Sequence, residues 1–327
     1  MAIGAAAATT LFLAPAADAT FPGRDGLIAF TREVGSKRPQ IYVVRPNGRG
    51  LRRLTHHRLG AYSPAWSPDG RRIVFSAIVR GEGFHVFVKR LGGGARQVTH
   101  GDDEYAYPTW SPDGRRIAAV RGHWAPNGDY SESLVVMHAN GRRRHAILAG
   151  GSMAIRDPAW SPVGGSIAFE HTDVSSTGAD PNLYIVPAEG GTARLIAYDG
   201  GSQEHPDWSP DGHLIAYGWG VVLAPDDIRV VRPDDTGEAR VTDDPLVPDG
   251  TPVWAPSGKR LAISRLGRIW TVAPDGSGLR QITHGPTEGA AAVSDWNPSW
   301  QPRSLTVRED GPGNVGSVHA TGRELLL

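Results

Sequence analysis

A proline two residues ahead of a tryptophan recurs six times along this chain, at Pro64/Trp66, Pro108/Trp110, Pro158/Trp160, Pro206/Trp208, Pro252/Trp254 and Pro298/Trp300. Successive tryptophans lie 44, 50, 48, 46 and 46 residues apart, and four of the copies run on into Ser-Pro-Xaa-Gly. A fixed period of this size marks supersecondary units that cannot bury their apolar faces singly and must stack into one body. The repeat therefore overrules the division into about two domains that length alone would suggest. Glycine and proline number 42 and 26, and because they recur in register they read as turns rather than as disorder.

Three short apolar runs separate each tryptophan from its neighbours. The first unit carries Leu27 to Phe30, Ile41 to Val44 and Leu51 to Thr55; the second carries Ile73 to Phe75, Val86 to Val88 and Arg96 to Thr99. Short β-branched and aromatic runs divided by Gly/Pro/Asp clusters are strands. The two middle runs of each unit are apolar at successive positions, as in a sheet covered on both faces, and the outermost mixes in Arg and Gln, as at an exposed edge. Four strands per unit, with the tryptophan strand innermost, make a propeller blade. The first triple precedes the first tryptophan and the last tryptophan follows the last triple. The expected fold is thus an all-β, six-bladed β-propeller of four-stranded blades over residues 20–302, its ring closed where the C-terminal Trp300 strand pairs with the N-terminal blade strands.

The connections sort the two faces of the disc. Ser67-Pro68-Asp69-Gly70 and its equivalents suit a type I turn between first and second strands. Third and fourth strands are joined as tightly, for instance by Pro46-Asn47-Gly48, and both turn sets fall on one face. The other connections read as long and unlike one another, so function is expected on their face. Trp124, Trp219 and Trp296 remain once the repeat is accounted for, and all map to that side. Tyr62, Tyr105, Tyr107, Tyr130 and Tyr198 join them, together with Asp102-Asp103-Glu104, Glu204, Asp226-Asp227, Asp243-Asp244 and Asp295. Two readings stand for the aromatic residues: small local cores under loops, or anchors of an interface. The carboxylates read as solvated charges, since no Asp-Xaa-Asp calcium-loop spacing occurs.

The residue before each repeat proline falls near the mouth of the central channel: Ser63, Tyr107, Asp157, His205, Thr251 and Asn297. Unlike polar side chains at equivalent positions fit an asymmetric ligand ring; they also fit residues that each tie down their own loop backbone. The candidate ligand-binding set is Trp124, Tyr130, Trp219, Trp296, Tyr105, Tyr107, Asp157 and His205. His56, His100 and His284 occupy equivalent outer positions of different blades and read as repeat structure. No nucleophile elbow, His-Glu-Xaa-Xaa-His, phosphate loop or Gly-Xaa-Gly-Xaa-Xaa-Gly following a strand is present. No catalytic residue, metal ligand set or cofactor is expected.

Residues 1–19 read as a secretory signal peptide, with an apolar stretch from Ala2 to Ala17 and a small-residue cleavage pattern at Ala17-Asp18-Ala19. No basic region precedes it, which predicts an upstream in-frame start. Residues 303–327 read as a flexible tail. The formal net charge is zero, so the overall balance points to neither nucleic acid nor an anionic membrane, and zero cysteines exclude disulfides and thiolate metal sites. Arginine supplies 31 of the 34 basic residues, read as a compositional bias.

The segments Trp66-Ser67-Pro68-Asp69-Gly70-Arg71-Arg72-Ile73 and Trp110-Ser111-Pro112-Asp113-Gly114-Arg115-Arg116-Ile117 resemble the WD-like repeat of TolB-type propellers. The resemblance covers about residues 26–302 and departs at Val163, at Ala255 and Ser257, and at Gln301-Pro302-Arg303. It implies a periplasmic or extracellular propeller that binds a protein, as TolB proteins bind a peptidoglycan-associated lipoprotein. The α/β domain that precedes the propeller in TolB has no counterpart between the expected cleavage site and the first blade. Related peptidases append a hydrolase domain, for which about 25 residues follow Trp300. The functional expectation is an exported, non-catalytic propeller scaffold, not an integral membrane protein, that binds a protein or cell-envelope component through its long-loop face. A carbohydrate-binding or carbohydrate-cleaving, lyase-like propeller acting at the channel mouth is the alternative.

Overall fold

A computed structural model describes residues 21–151, 153–173, 180–197, 200–221 and 226–304. The expected signal segment, Tyr198 and the tail from residue 305 lie outside them. Six four-stranded antiparallel sheets form the ring. Blade 1 joins Val293–Arg303, Arg24–Val34, Lys37–Val44 and Arg52–Arg53, in that order outward from the axis. Blade 2 is Ala61–Trp66, Arg72–Val79, Gly83–Arg90 and Ala95–Gln97; blade 3 is Glu104–Trp110, Arg116–Trp124, Tyr130–His138 and His145–Gly151. Blade 4 is Met153–Trp160, Ser166–Asp173, Asn182–Pro187 and Arg194–Ile196. Blade 5 is Ser202–Trp208, Ile215–Gly220, Asp227–Val231 and Ala239–Arg240, and blade 6 is Asp249–Trp254, Leu261–Arg265, Arg268–Val272 and Arg280–Gln281. The C-terminal strand closes the ring as the sequence predicts, with Ile28 opposite Trp300 and Val34 opposite Val293. Among the described residues, no helix is long and apolar enough to cross a membrane.

The core lies between blades. Trp66 packs with Ala29, Ile41 and Val43 of blade 1 and with Ile73 and Phe75 of its own blade; Trp300 likewise joins Ile28 and Phe30 to Ala255, Ala262 and Ile269 of blade 6. The indole N–H groups of Trp110 and Trp208 donate to the carbonyls of Ala65 and Ala159 on the preceding inner strands, at 3.2 and 3.1 Å. Each repeat tryptophan thus acts as a wedge that fixes the spacing of two blades. The arginines are not only compositional. Arg72 and Arg116 lay their guanidinium groups over Trp110 and Trp160 of the following blade, 4.5 and 5.0 Å from a ring centroid, so the repeat's second arginine caps the next wedge.

Local chemistry explains the turns. Gly70 N–H donates to Ser67 carbonyl at 2.8 Å, Ser67 Oγ accepts from Arg72 N–H, and Asp69 Oδ1 accepts from Arg71 N–H. Gly70 sits at φ +61, where a Cβ would meet the Pro302 carbonyl oxygen at 2.1 Å, so the glycine serves both turn and blade contact. The Leu/Val/Ile-Thr-His motif is also structural. Thr55, Thr99 and Thr283 accept from the N–H of Ile41, Val86 and Ile269 on the third strands, each at 2.9 Å, while His56, His100 and His284 are exposed.

Candidate functional site

Every inner strand carries the same irregularity just before its proline. The ladder slips between Tyr62 and Ala65, Ala106 and Thr109, Arg156 and Ala159, Glu204 and Asp207, and Gly250 and Val253. At each bulge the residue before proline takes positive φ: Ser63 48°, Tyr107 52°, Asp157 41°, His205 53°, Thr251 46° and, in the closing strand, Asn297 49°. Non-glycine residues adopt this conformation at a cost of about 1–2 kcal/mol, because Cβ crowds the backbone. The bulge turns these six residues toward the axis, where all line a channel of about 140 Å³. Phe21, buried, also lines this channel.

Among the described residues, none of the six side chains hydrogen-bonds its own loop backbone. Asp157 and His205 meet across a blade boundary, Oδ2 to Nδ1 at 2.7 Å, and Thr251 bonds Ser264 on the neighbouring strand. Strain without a local bond makes a clean test. Ser63→Gly relieves the Cβ crowding and is expected to stabilise the fold by up to about 1 kcal/mol. A loss of stability on thermal unfolding would show instead that the Ser63 side chain has a role of its own.

On the face opposite the Ser-Pro-Asp-Gly turns, the channel opens into a cavity of about 310 Å³. Tyr62, Phe84, Tyr107 and Trp296 form its aromatic walls, while Asp157, Glu170, Glu204, His205 and Arg156 supply its charges. One ligand atom from each of Asp157, Glu170 and His205 lies within 4.8 Å of the others. Burial, reinforced by the Asp157 charge, pushes the Glu170 carboxyl up to about 8. Burial alone would lower His205, but the charge and hydrogen bond of Asp157 outweigh it and raise the imidazole to about 9. Tyr107 is raised to about 12 by burial and by the Asp157 charge. Arg156 is committed elsewhere, its Nη1 lying 3.2 and 3.3 Å from the two oxygens of Glu132.

The predicted site residues divide. Tyr107, Asp157, His205 and Trp296 meet at the cavity. Trp124 and Tyr130 face each other at the tip of blade 3, ring centroids 4.8 Å apart, and stand 62% and 42% exposed on the cavity side of the disc. Tyr105 is corrected: it is buried in the core between blades 2 and 3 and accepts a bond from Arg144 at 3.2 Å. Trp219 packs on the blade 4–5 core with the Arg229 guanidinium 3.6 Å from its ring, which makes it a packing residue.

Trp124, Trp219 and Trp296 lie in strands rather than in loops, because the hairpins run further than the repeat indicates. Several connections on this face are also short: Gly35-Ser36 and Leu266-Gly267 join their strands with two residues each. The acidic groups are mostly paired rather than solvated. Asp295 binds Arg32, Asp227 and Asp243 bind Arg240, Asp244 binds Arg265, and Asp103 binds His123. Glu170 was absent from the sequence candidates because it directly follows the apolar run Ile167 to Phe169 within one strand. The ladder supplies the missing signal. The residues equivalent to Glu170 in blades 1, 2, 3, 5 and 6 are Thr31, Ser76, Val120, Gly218 and Ser264, none of them ionisable.

Comparison with known proteins places this geometry. The propeller superposes on the crystal structure of TolB from Acinetobacter baumannii with a TM-score of 0.70 at 18% identity, over 85% of this chain and 67% of that one. The chain shares the six-bladed β-propeller fold of TolB. Its sequence is 45% identical over 49 residues to the Tol-Pal system protein TolB of Nitratidesulfovibrio vulgaris, 15% of this chain and 11% of that protein. It is 30% identical over 195 residues to an uncharacterized protein of Agrobacterium fabrum, 55% of this chain and 61% of that one. The chain therefore matches about three fifths of one curated relative's length and about a tenth of the other's. No protein-family model matches it. An oligogalacturonate lyase solved in complex with manganese shares the architecture at a TM-score of 0.55 and 13% identity, over 79% of this chain and 78% of that one. At these identities the structural likeness is one of fold.

Proposed function

We propose that this protein is an exported, non-catalytic binding propeller that engages a protein or cell-envelope partner on the face where the channel opens. The observation that carries this reading is the Trp124–Tyr130 pair. Among the exposed large hydrophobic residues of the described part of the chain these are the two aromatic ones, and they stand in contact on the cavity side. Large rigid aromatic groups of this kind anchor interfaces, since they bury much area with little loss of rotamer freedom. The TolB-like fold agrees with a scaffold, and the apolar leader of residues 2–17 supports export.

The test is affinity capture from a cell-envelope extract with wild type and with Trp124→Ala/Tyr130→Ala. Both side chains are solvent-exposed, so circular dichroism and the melting profile should be unchanged. A saturable partner retained by wild type is expected to be lost at least tenfold on the double variant. Equal capture by both would remove the face from the reading, and turnover of an oligosaccharide by the purified protein would replace it with a carbohydrate-active one. Protein recovered from producing cells should begin at Thr20; a retained Met1 would count against export.

A further inference from the structure

The structure assigns a divalent transition-metal site to Asp157, Glu170 and His205 at the floor of the mouth cavity. Glu170 carries the argument. The residue is 8% exposed and lines the cavity, yet among the described residues no hydrogen bond or ion pair reaches its carboxylate. Arg156 lies directly across the ladder and could neutralise it, but that guanidinium is turned to Glu132, which also accepts from Ile155 N–H at 2.7 Å. A buried carboxylate without a partner is costly, and a second carboxylate beside it raises the cost. The five other blades place non-ionisable residues at this position, so nothing in the propeller scaffold requires a carboxyl here.

A metal cation would satisfy the carboxylate, and the donor set describes which kind. Asp157, Glu170 and His205 offer two oxygens and one imidazole nitrogen within 4.8 Å of one another. A small cation at about 2.0–2.2 Å from each would fit with slight contraction. One imidazole with two carboxylates and no thiolate suits manganese or zinc; calcium and magnesium prefer oxygen alone. The ligands come from the inner strands of blades 4 and 5 and the second strand of blade 4, so they rest on sheet rather than on loops. Three protein donors leave coordination positions open toward the cavity, for water or for an anionic group of a ligand.

Isothermal titration of chelator-treated protein with MnCl2 and with ZnCl2 tests the assignment without any partner. One saturable site per chain is expected for at least one of the two ions. Glu170→Gln and Asp157→Asn should each weaken it at least tenfold, while Asp243→Asn, on the rim, should bind as wild type. Glu170→Gln replaces a buried carboxyl that lacks a hydrogen-bond partner with a neutral side chain of the same shape, so its metal-free melting temperature should match or exceed that of wild type. Loss of binding in that variant is then not loss of fold. The metal should raise the melting temperature of wild type and leave that of Glu170→Gln unmoved. Absence of saturable binding of both ions at millimolar concentration, or wild-type affinity in Glu170→Gln, overturns the assignment.

Discussion

A chain that ends at Ala292 should lose cooperative folding. The strand Val293–Arg303 is the inner strand of blade 1, and its removal strips the ladder partner from Arg24–Val34. It takes with it Trp300, buried between blades 1 and 6, whose side chain alone accounts for about 3–5 kcal/mol by analogy with other core tryptophans. It also takes Gln301, which accepts from Leu27 N–H at 2.9 Å and donates to the Gly70 carbonyl at 2.7 Å, tying blade 1 to blade 2. Against a total of about 5–15 kcal/mol for a folded domain, these losses exceed the margin, and the bared strand edge invites association between chains. Size-exclusion chromatography and thermal circular dichroism should show oligomers without a sharp transition, whereas a chain ending at Ser304 keeps the closing strand and should melt like the full-length protein. A monomer of the shorter chain with an unchanged transition would mean that the ring does not need its closing strand.

The second large effect is expected at a buried ion pair in the same blade. Arg32 Nε and Nη2 donate to the two oxygens of Asp295 at 2.5 and 2.7 Å, Thr283 Oγ1 donates to Asp295 Oδ2 at 2.6 Å, and both charged residues are buried. The guanidinium also lies 5.4 and 5.5 Å from the ring centroids of Phe30 and Tyr42. Asp295→Ala leaves that guanidinium buried without its counter-charge, so a loss of about 3–5 kcal/mol on denaturant unfolding is expected. Replacing both members, Arg32→Met with Asp295→Leu, should recover most of it, because apolar groups of similar volume carry no desolvation penalty. A single variant that loses less than about 1 kcal/mol would show that water reaches the pair.

Asp295 illustrates how far sequence reading extends. As one of several acidic residues on the cavity face it looked like a solvated charge, and its partner is 263 residues away across the ring closure. Tyr105 looked like its neighbour Tyr107, but the bulge at Tyr107 separates them: Tyr105 points into the core and Tyr107 toward the axis. The ring before the prolines was legible because it repeats, and the unlike residues in it stood out against that regularity. Glu170 was not legible, because an acidic residue at the end of an apolar run has no meaning until the ladder shows what lies opposite.

Local pattern alone determined the blade count, the four strands per blade, the turn chemistry, the ring closure and the inward ring of six residues. Each depends on contacts repeated within a unit of about 46 residues, so the periodicity of the sequence carries them. Only the tertiary structure decided which charges meet. Asp157, Glu170 and His205 come from two blades, and the closure of the disc, rather than any spacing along the chain, brings them within 4.8 Å. Pairwise electrostatics depends on distance and on exclusion from water, and both are set by the packed ring.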